Sequence, residues 1–163
     1  MPKTNSWRDS GVSKFVWLVA LVLWVGFIWG HSLMPGVRSS AESASAVSFL
    51  HPILSALGIV DEGLATHVVR KSAHFCEFAV LGALAVGTMR SWFGDSPWKW
   101  RLVALVWLVV PCVDETLQRF VPEREGKPTD VLIDLAGGAL GILIAWLVER
   151  HLAQRPIQGD NPH

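Results

Sequence analysis

The sequence has few charged residues and no excess of either sign. Asp, Glu, Lys and Arg make up 17% of its 163 residues, and 14 basic residues balance 14 acidic ones. Nucleic-acid-binding proteins present a concentrated basic surface, so this balance argues against a nucleic-acid partner. The chain also lacks internal repeats and low-complexity tracts. Its length predicts one domain, residues 1–152, and the mixed composition of residues 153–163 predicts a disordered tail.

Cysteine is scarce as well. The chain has two, Cys76 and Cys112, and each lies within an apolar helical segment. Burial as a small hydrophobic side chain is the favoured interpretation, because free cysteine is among the most buried residue types. A disulfide or a metal-binding pair is the alternative.

Only one uninterrupted apolar run approaches the thickness of a bilayer, although 51% of the residues are apolar. It is residues 15–30, and with its flanks it reaches the roughly 20 residues that a membrane span needs. A cleaved signal peptide is the alternative, but the small-x-small site at residues 44–46 lies too far from the run. We therefore predict a first membrane span near residues 13–33.

Three further apolar runs are too short to cross a bilayer alone. They are residues 78–89, 102–113 and 135–148. Each reaches the required length only if it is extended into a polar flank. The flanks are residues 70–77, 114–118 and 130–134. We predict spans near residues 66–92, 98–120 and 129–151, with the polar extensions inside the helix bundle.

Between the first two spans, residues 39–59 have the pattern of an amphipathic helix. Ser39 or Ser40 can cap its start, and apolar residues recur at helical spacing from Val47 to Leu57. The segment has no long apolar run, which predicts a position along the membrane surface. The predicted fold class is an all-α membrane protein: a four-transmembrane-helix bundle with an amphipathic interfacial helix between the first and second spans.

The distribution of charge predicts the orientation. With four spans, both termini lie on one side of the membrane, and that side has eight basic and four acidic residues. The other side has six basic and ten acidic residues. Basic residues favour the cytoplasmic side, so we predict that both termini are cytoplasmic. The three polar extensions then meet at the extracytoplasmic end of the bundle.

Ionisable residues fall on single faces of the predicted helices. On the second span, His67, Arg70, Lys71, His74 and Glu77 occupy an arc of roughly 120°. The remaining polar residues come from the third span, the following loop and the fourth span. They are Asp114, Glu115, Gln118, Arg124, Lys127, Asp130 and Asp134. On the fourth span Gly137 and Gly141 continue the acidic face as a GxxxG pair, which lets another helix approach closely.

Charges at membrane depth have two interpretations. Each unpaired charge costs about 2.5 to 3.5 kcal/mol on insertion scales. In the structural interpretation, Lys71 and Arg124 neutralise the carboxylates and hold four helices in register. In the functional interpretation the residues form a site, and we favour it because one helix register needs far fewer ionisable groups.

Three stretches, KSAHFCEF, DETLQRFVPER and DVLIDLAGGALG, resemble the VanZ-like family of small bacterial membrane proteins. The stretch HSLMPG, with Ser40 and Glu42, resembles the family's first loop. The similarity covers roughly residues 29–145. The matching positions are Lys71, His74, Glu77, Asp114, Glu115, Gln118, Arg124, Asp130, and Gly137 or Gly138. The chain departs from the pattern at Asp134, where Asn is usual, and at Glu123, where Gly is usual.

This resemblance implies a multi-pass protein of the bacterial cytoplasmic (inner) membrane that belongs to the cell envelope. The founding member is linked to resistance to the glycopeptide teicoplanin. A membrane lipid or a lipid-linked envelope precursor is the expected partner, with envelope proteins as further partners.

Two classes of function follow from these residues. The first is a membrane enzyme acting on a lipid-linked or phosphorylated head group, with proton transfer by His74, Glu77, Asp114 and Glu115. Its substrate-binding residues are Lys71, Gln118, Arg124, Lys127, Asp130 and Asp134. A divalent cation is the one cofactor that the pattern suggests, with His74, Asp114 and Glu115 as candidate ligands. The second class is a non-enzymatic protein that binds a lipid or an antibiotic, or supports envelope assembly.

Overall fold

The computed structural model describes residues 11–124 and 127–154, and these form five α-helices and no strand. The helices are α1 (Gly11–Ser32), α2 (Gly36–Ala56), α3 (Glu62–Phe93), α4 (Trp98–Gln118) and α5 (Pro128–Gln154). The prediction of an all-helical fold is confirmed for these residues. The predicted tail at residues 153–163 overlaps α5 by two residues and otherwise lies outside the described part of the chain.

Three of these helices, α1, α3 and α5, are long and apolar enough to cross a membrane. They match the predicted spans at residues 13–33, 66–92 and 129–151 within a few residues at each end. Helix α4 matches the predicted span at residues 98–120 in position but is not among the three. It carries Lys99 and Arg101 near its start and Asp114 and Glu115 near its end, which lowers its apolar character.

Helix α3 is the centre of the bundle, because it packs against each of the other four helices. Asp61 caps its start, and its carboxylate accepts a hydrogen bond of 2.7 Å from the Leu64 backbone N–H. Gly94 caps its end, with a φ of 56° that is readily available to glycine. Both ends are therefore fixed by the local sequence.

Contacts at the two ends of the bundle give the helix directions. Lys71 near the start of α3 pairs with Asp130 near the start of α5. At the other end, Arg90 of α3 lies 3.0 Å from Glu149 of α5. The two helices are therefore parallel. Helix α1 runs the opposite way along α3, because the Thr88 hydroxyl donates to the carbonyl of Trp17 at 3.1 Å, whereas His31 lies beside Glu77.

The closest helix packing is between α3 and α5. A Cβ atom placed on Gly137 or Gly141 would overlap the backbone carbonyl oxygen of Phe75 or Ala79, respectively. On α3, Gly82 likewise faces the carbonyl of Gly138. The glycine pair on the acidic face of α5 thus lies against the turn of α3 that contains its ionisable residues and against the next turn. This close approach brings the ionisable side chains of α3 and α5 together.

Helix α2 differs in its boundaries from the predicted segment at residues 39–59. It begins at Gly36, directly after Pro35, and ends at Ala56. Neither Ser39 nor Ser40 caps it, because the helix has already begun three residues earlier. The Gly36 N–H donates to the carbonyl of Pro122 at 3.3 Å, so a tertiary contact with the loop after α4 fixes its start.

The two cysteines are exposed and unpaired, so the prediction that they are buried is wrong. Cys76 and Cys112 lie on the outer surface of α3 and α4, among other exposed apolar side chains. In a membrane, lipid is as apolar as a leucine side chain, so outward-facing apolar residues are not disfavoured. The rule that free cysteine is buried comes from soluble proteins and does not apply on such a face.

A second charged cluster lies at the end of the bundle opposite to Lys71. The Lys99 side chain is only 8% exposed and its Nζ lies 3.8 Å from Oε2 of Glu149, which also pairs with Arg90. Asp95 lies 3.8 Å from Lys99 but is almost fully exposed. Glu149 therefore links the ends of α3, α4 and α5.

Candidate functional site

A cavity of about 500 Å³ lies at the end of the bundle where α3 and α5 begin and α4 ends. Four basic side chains, three acidic ones, two imidazoles and one amide line it. The lining residues are His67, Arg70, Lys71, His74, Gln118, Glu123, Arg124, Lys127, Asp130 and Asp134. This end is therefore strongly polar, whereas the outer faces of the helices are apolar.

Seven of the ten site residues proposed from the sequence line this cavity. They are Lys71, His74, Gln118, Arg124, Lys127, Asp130 and Asp134. Glu77, Asp114 and Glu115 do not line it. They lie about one turn further into the bundle than His74 and Gln118, and Asp114 and Glu115 are buried.

An ion pair between Lys71 Nζ and Asp130 Oδ2 joins α3 to the start of α5. Both side chains are mostly buried. Asp130 lies in the first turn of α5, where the partial positive charge of the helix start favours a carboxylate. This pair accounts for one cation and one anion of the cavity wall.

Below this pair, His74, Asp114 and Asp134 form a largely buried ionisable group. One ligand-type atom of each lies within 4.8 Å of the others, and His74 Nδ1 is 3.8 Å from Asp134 Oδ1. Asp114 is 0% and Asp134 1% exposed. These residues could hold a metal ion. Two of the metal candidates named from the sequence, His74 and Asp114, belong to the group; Asp134 completes it and Glu115 is not part of it.

Gln118 fixes one side of this group. Its amide nitrogen donates to Asp114 Oδ2 at 2.9 Å and to Ser32 Oγ at 3.2 Å. The other oxygen of Asp114, Oδ1, and Oδ2 of Asp134 are buried and have no hydrogen-bond partner among the described residues. Buried polar atoms are almost always satisfied in folded proteins, so these two oxygens indicate a missing partner.

His31 is a site residue that the sequence analysis did not single out. Its Nδ1 lies 3.4 Å from Glu77 Oε1 and its Nε2 lies 3.3 Å from Glu42 Oε2. Its ring is stacked on that of His74, with centroids 6.3 Å apart. His31 therefore links α1, α2 and α3 at the inner edge of the site. The signal available in the sequence was the polar HSLMPG stretch and its weak similarity, with Glu42, to the family's first loop.

Three residues that follow α4, Glu123, Arg124 and Lys127, form part of the cavity wall. The Arg124 guanidinium donates to the His31 carbonyl oxygen at 3.2 Å, which ties the loop to the end of α1. Burial lowers the pKa of Arg124 from its ordinary value, and the neighbouring Arg70 charge acts in the same direction. A guanidinium nevertheless stays protonated in proteins, so Arg124 contributes a full positive charge to the cavity.

The backbone conformation at Glu123 accounts for the glycine that the family pattern has at this position. Glu123 has a φ of 62°, in the left-handed region that glycine adopts at no steric cost. A glycine is therefore the expected residue at this position, and here a glutamate adopts the same conformation. Its carbonyl oxygen packs so closely on Gly36 that a Cβ there would overlap it.

The fold and the site together define a helical membrane protein with an ionisable cavity at one end of its bundle. A family model described as VanZ/LLP1 matches residues 17–149, and the chain belongs to this family. Neither a comparison with curated proteins nor one with solved structures finds a match.

Proposed function

We propose that α4 is a fourth membrane span. Helices α3 and α5 are parallel, and α4 connects the end of one to the start of the other. With 21 residues, α4 is about 31 Å long, which equals the thickness of the hydrocarbon core. If α3 and α5 cross the membrane in the same direction, α4 must return across it. Its charged residues lie away from its centre, where a charge costs most.

We also propose that both termini are cytoplasmic and that the cavity opens on the extracytoplasmic side. Cysteine labelling tests this orientation in a background with Cys76 and Cys112 replaced by serine. Ala56→Cys, at the exposed end of α2, should react with an impermeant maleimide in intact cells. Ser96→Cys, between α3 and α4, should react only after permeabilisation. The reverse pattern would place the cavity on the cytoplasmic side.

For the site, we propose that the cavity binds the anionic head group of a lipid or lipid-linked envelope component. The observation that carries this proposal is its lining of four basic side chains at the end of an apolar bundle. Arg and Lys are the usual ligands of phosphate, and Arg binds it through two parallel hydrogen bonds. The link of the family's founding member to teicoplanin resistance makes an envelope component the proposed source of the head group.

The surroundings of the cavity favour a ligand with an apolar tail. Helix α2 presents Phe49 and Ile53 on its outer face, and the exposed Leu57 follows its last residue; Phe49 is 85% exposed. A helix with such a face binds at the membrane–water interface. This supports the position of α2 as an interfacial helix beside the cavity, where lipid head groups are found. A soluble anion would need no such apolar border.

Replacing Arg124 tests the binding proposal. Arg124→Ala should weaken binding of phosphatidic acid, presented in phosphatidylcholine nanodiscs, by about tenfold, since charge-assisted hydrogen bonds contribute about 1.5–3 kcal/mol. Binding is measured from the intrinsic tryptophan fluorescence. Arg119→Ala is the matched control, because Arg119 belongs to the same loop but is exposed and does not line the cavity. Equal losses for the two variants would contradict a role for the cavity.

An acid–base enzyme is the second candidate, and the position of His74 favours it. His74 lines the cavity and lies beside the buried carboxylate of Asp134. A histidine general base is commonly oriented by a neighbouring carboxylate in this way. If the protein is an enzyme, the His74→Ala variant, in which Lys71 is intact, should have a turnover rate lower by about 100-fold or more. It should still bind the head group. In a binding protein, phosphatidic acid would bind the variant and the wild type alike when a chelator keeps both free of metal ions, and neither would release inorganic phosphate.

A further inference from the structure

Two of the buried carboxylates of the site, Asp114 and Asp134, have incomplete hydrogen bonding. The two side chains lie close to each other and to His74, and each has one oxygen without a hydrogen-bond partner in the part of the chain that the structure describes. The lysine above them, Lys71, is paired with Asp130, and Arg124 donates to a backbone carbonyl. Two carboxylates at this depth need a cation, a proton or hydrogen-bond donors to be tolerated.

The donor set suits a divalent metal ion. One imidazole and two carboxylates form a mixed nitrogen and oxygen set that Zn²⁺ and Mn²⁺ accept in proteins. Ligands at about 2.1 Å from one ion lie at most about 4.2 Å apart. The three side chains offer atoms within 4.8 Å of one another, so small side-chain adjustments would bring them to coordination distance.

Neighbouring side chains orient His74 and Asp114, as usually occurs for metal ligands. Gln118 holds Asp114 through a hydrogen bond of 2.9 Å, and Ser32 in turn accepts from Gln118. Such outer hydrogen bonds orient ligating carboxylates and tune their affinity. The His31 ring stacks on His74 and restricts the orientation of the imidazole.

We propose that His74, Asp114 and Asp134 bind one divalent transition-metal ion at the floor of the cavity. Because His74 and Asp134 line the cavity, the side of the ion opposite to Asp114 faces the space where an anion would bind. There the ion would offer a positive charge to a phosphate oxygen. That contact with a head group rests on the proposed binding function; the metal site itself does not.

Metal binding is tested on the full chain in detergent, stripped with a chelator and given MnCl₂ or ZnCl₂ without any added lipid. The wild type should take up one ion per chain, measured by elemental analysis after gel filtration, and its thermal unfolding should move upward. Asp134→Asn and His74→Ala should each weaken the affinity about 100-fold, since the loss of even an outer-shell partner costs 10- to 100-fold. Co²⁺ should give the absorption of a nitrogen- and oxygen-ligated ion in the wild type and not in His74→Ala.

Two controls separate this proposal from the others. Glu123→Gln removes a cavity carboxylate outside the group and should leave metal affinity unchanged. Arg124→Ala should weaken phosphatidic acid binding about tenfold and bind Mn²⁺ like the wild type, so failure of the head-group proposal and failure of the metal proposal are distinguishable. If His74→Ala does not fold, His74→Gln replaces it. Wild-type protein without bound metal, or an Asp134→Asn variant that binds like the wild type, would overturn the proposal.

Discussion

Gly141→Leu is expected to destabilise the bundle by about 3 kcal/mol or more and to reduce the yield of folded protein severely. A Cβ atom at this position would overlap the backbone carbonyl of Ala79, and a backbone atom cannot move aside as a flexible side chain can. Introducing volume into a packed interface costs about 1–3 kcal/mol even where side chains can adjust. The measurement is thermal unfolding in detergent, followed by circular dichroism together with size-exclusion chromatography.

Two variants serve as controls for this substitution. Gly26→Leu adds the same side chain to α1, where a Cβ atom meets no atom of the described residues within 4 Å, and it should unfold like the wild type. Leu140→Ala removes a side chain that is 39% exposed, next to Gly141, and should cost less than about 1 kcal/mol. If Gly141→Leu unfolded at the wild-type temperature, the close packing of α3 on α5 would be disproved.

The contact between α3 and α5 shows how far sequence reasoning reaches in this fold. The GxxxG pair on the acidic face of α5 predicted that another helix approaches there, and Phe75 and Ala79 of α3 do so. The sequence did not identify α3 as that helix, because several helices carry small residues. Gly82 of α3 packs against the carbonyl of Gly138 of α5, and its role in the contact can be recognised only when the two helices are placed side by side.

Helix positions were predictable because apolar runs and polar flanks mark membrane helices clearly. The start of α2 was not, since it depends on Gly36 packing against the loop at Glu123, far away in sequence. The exposure of Cys76 and Cys112 was missed for a different reason. Periodicity reveals the two faces of a helix, but in a lipid environment both faces are apolar and the buried one is not the more hydrophobic.

The candidate site could be predicted from the sequence, because helical periodicity gives the face on which each residue lies and its distance from the helix end gives its depth in the membrane. Lys71 and His74 lie on one face of α3 at the same end as the start of α5, and the predicted orientation of the spans brings Asp130 and Asp134 beside them. His31 was not accessible in this way. It is a lone polar residue at the end of an apolar helix, a position that is ordinarily interfacial, and only the packing of α1 on α3 brings it to Glu77 and His74.

At the opposite end of the bundle, Glu149→Gln is expected to destabilise the protein by about 3 kcal/mol. The carboxylate is the buried partner of Lys99, whose side chain is only 8% exposed. Breaking a buried pair leaves an uncompensated charge and costs about 3–5 kcal/mol. Asp95 offsets little of this loss, because its side chain is almost fully exposed and its interaction with Lys99 is screened by solvent. Thermal unfolding in detergent measures the effect.

A double-mutant cycle separates the cost of the unpaired charge from loss of the pair itself. Lys99→Met in the Glu149→Gln background should recover most of the lost stability, because a flexible apolar side chain of similar length replaces the stranded ammonium. Arg90→Gln should cost less than about 1 kcal/mol, since Arg90 is one-third exposed and its loss leaves Glu149 paired with Lys99. If Lys99→Met fails to rescue Glu149→Gln, Glu149 acts through its hydrogen bonds or packing, and charge neutralisation is not what joins α3, α4 and α5 at this end.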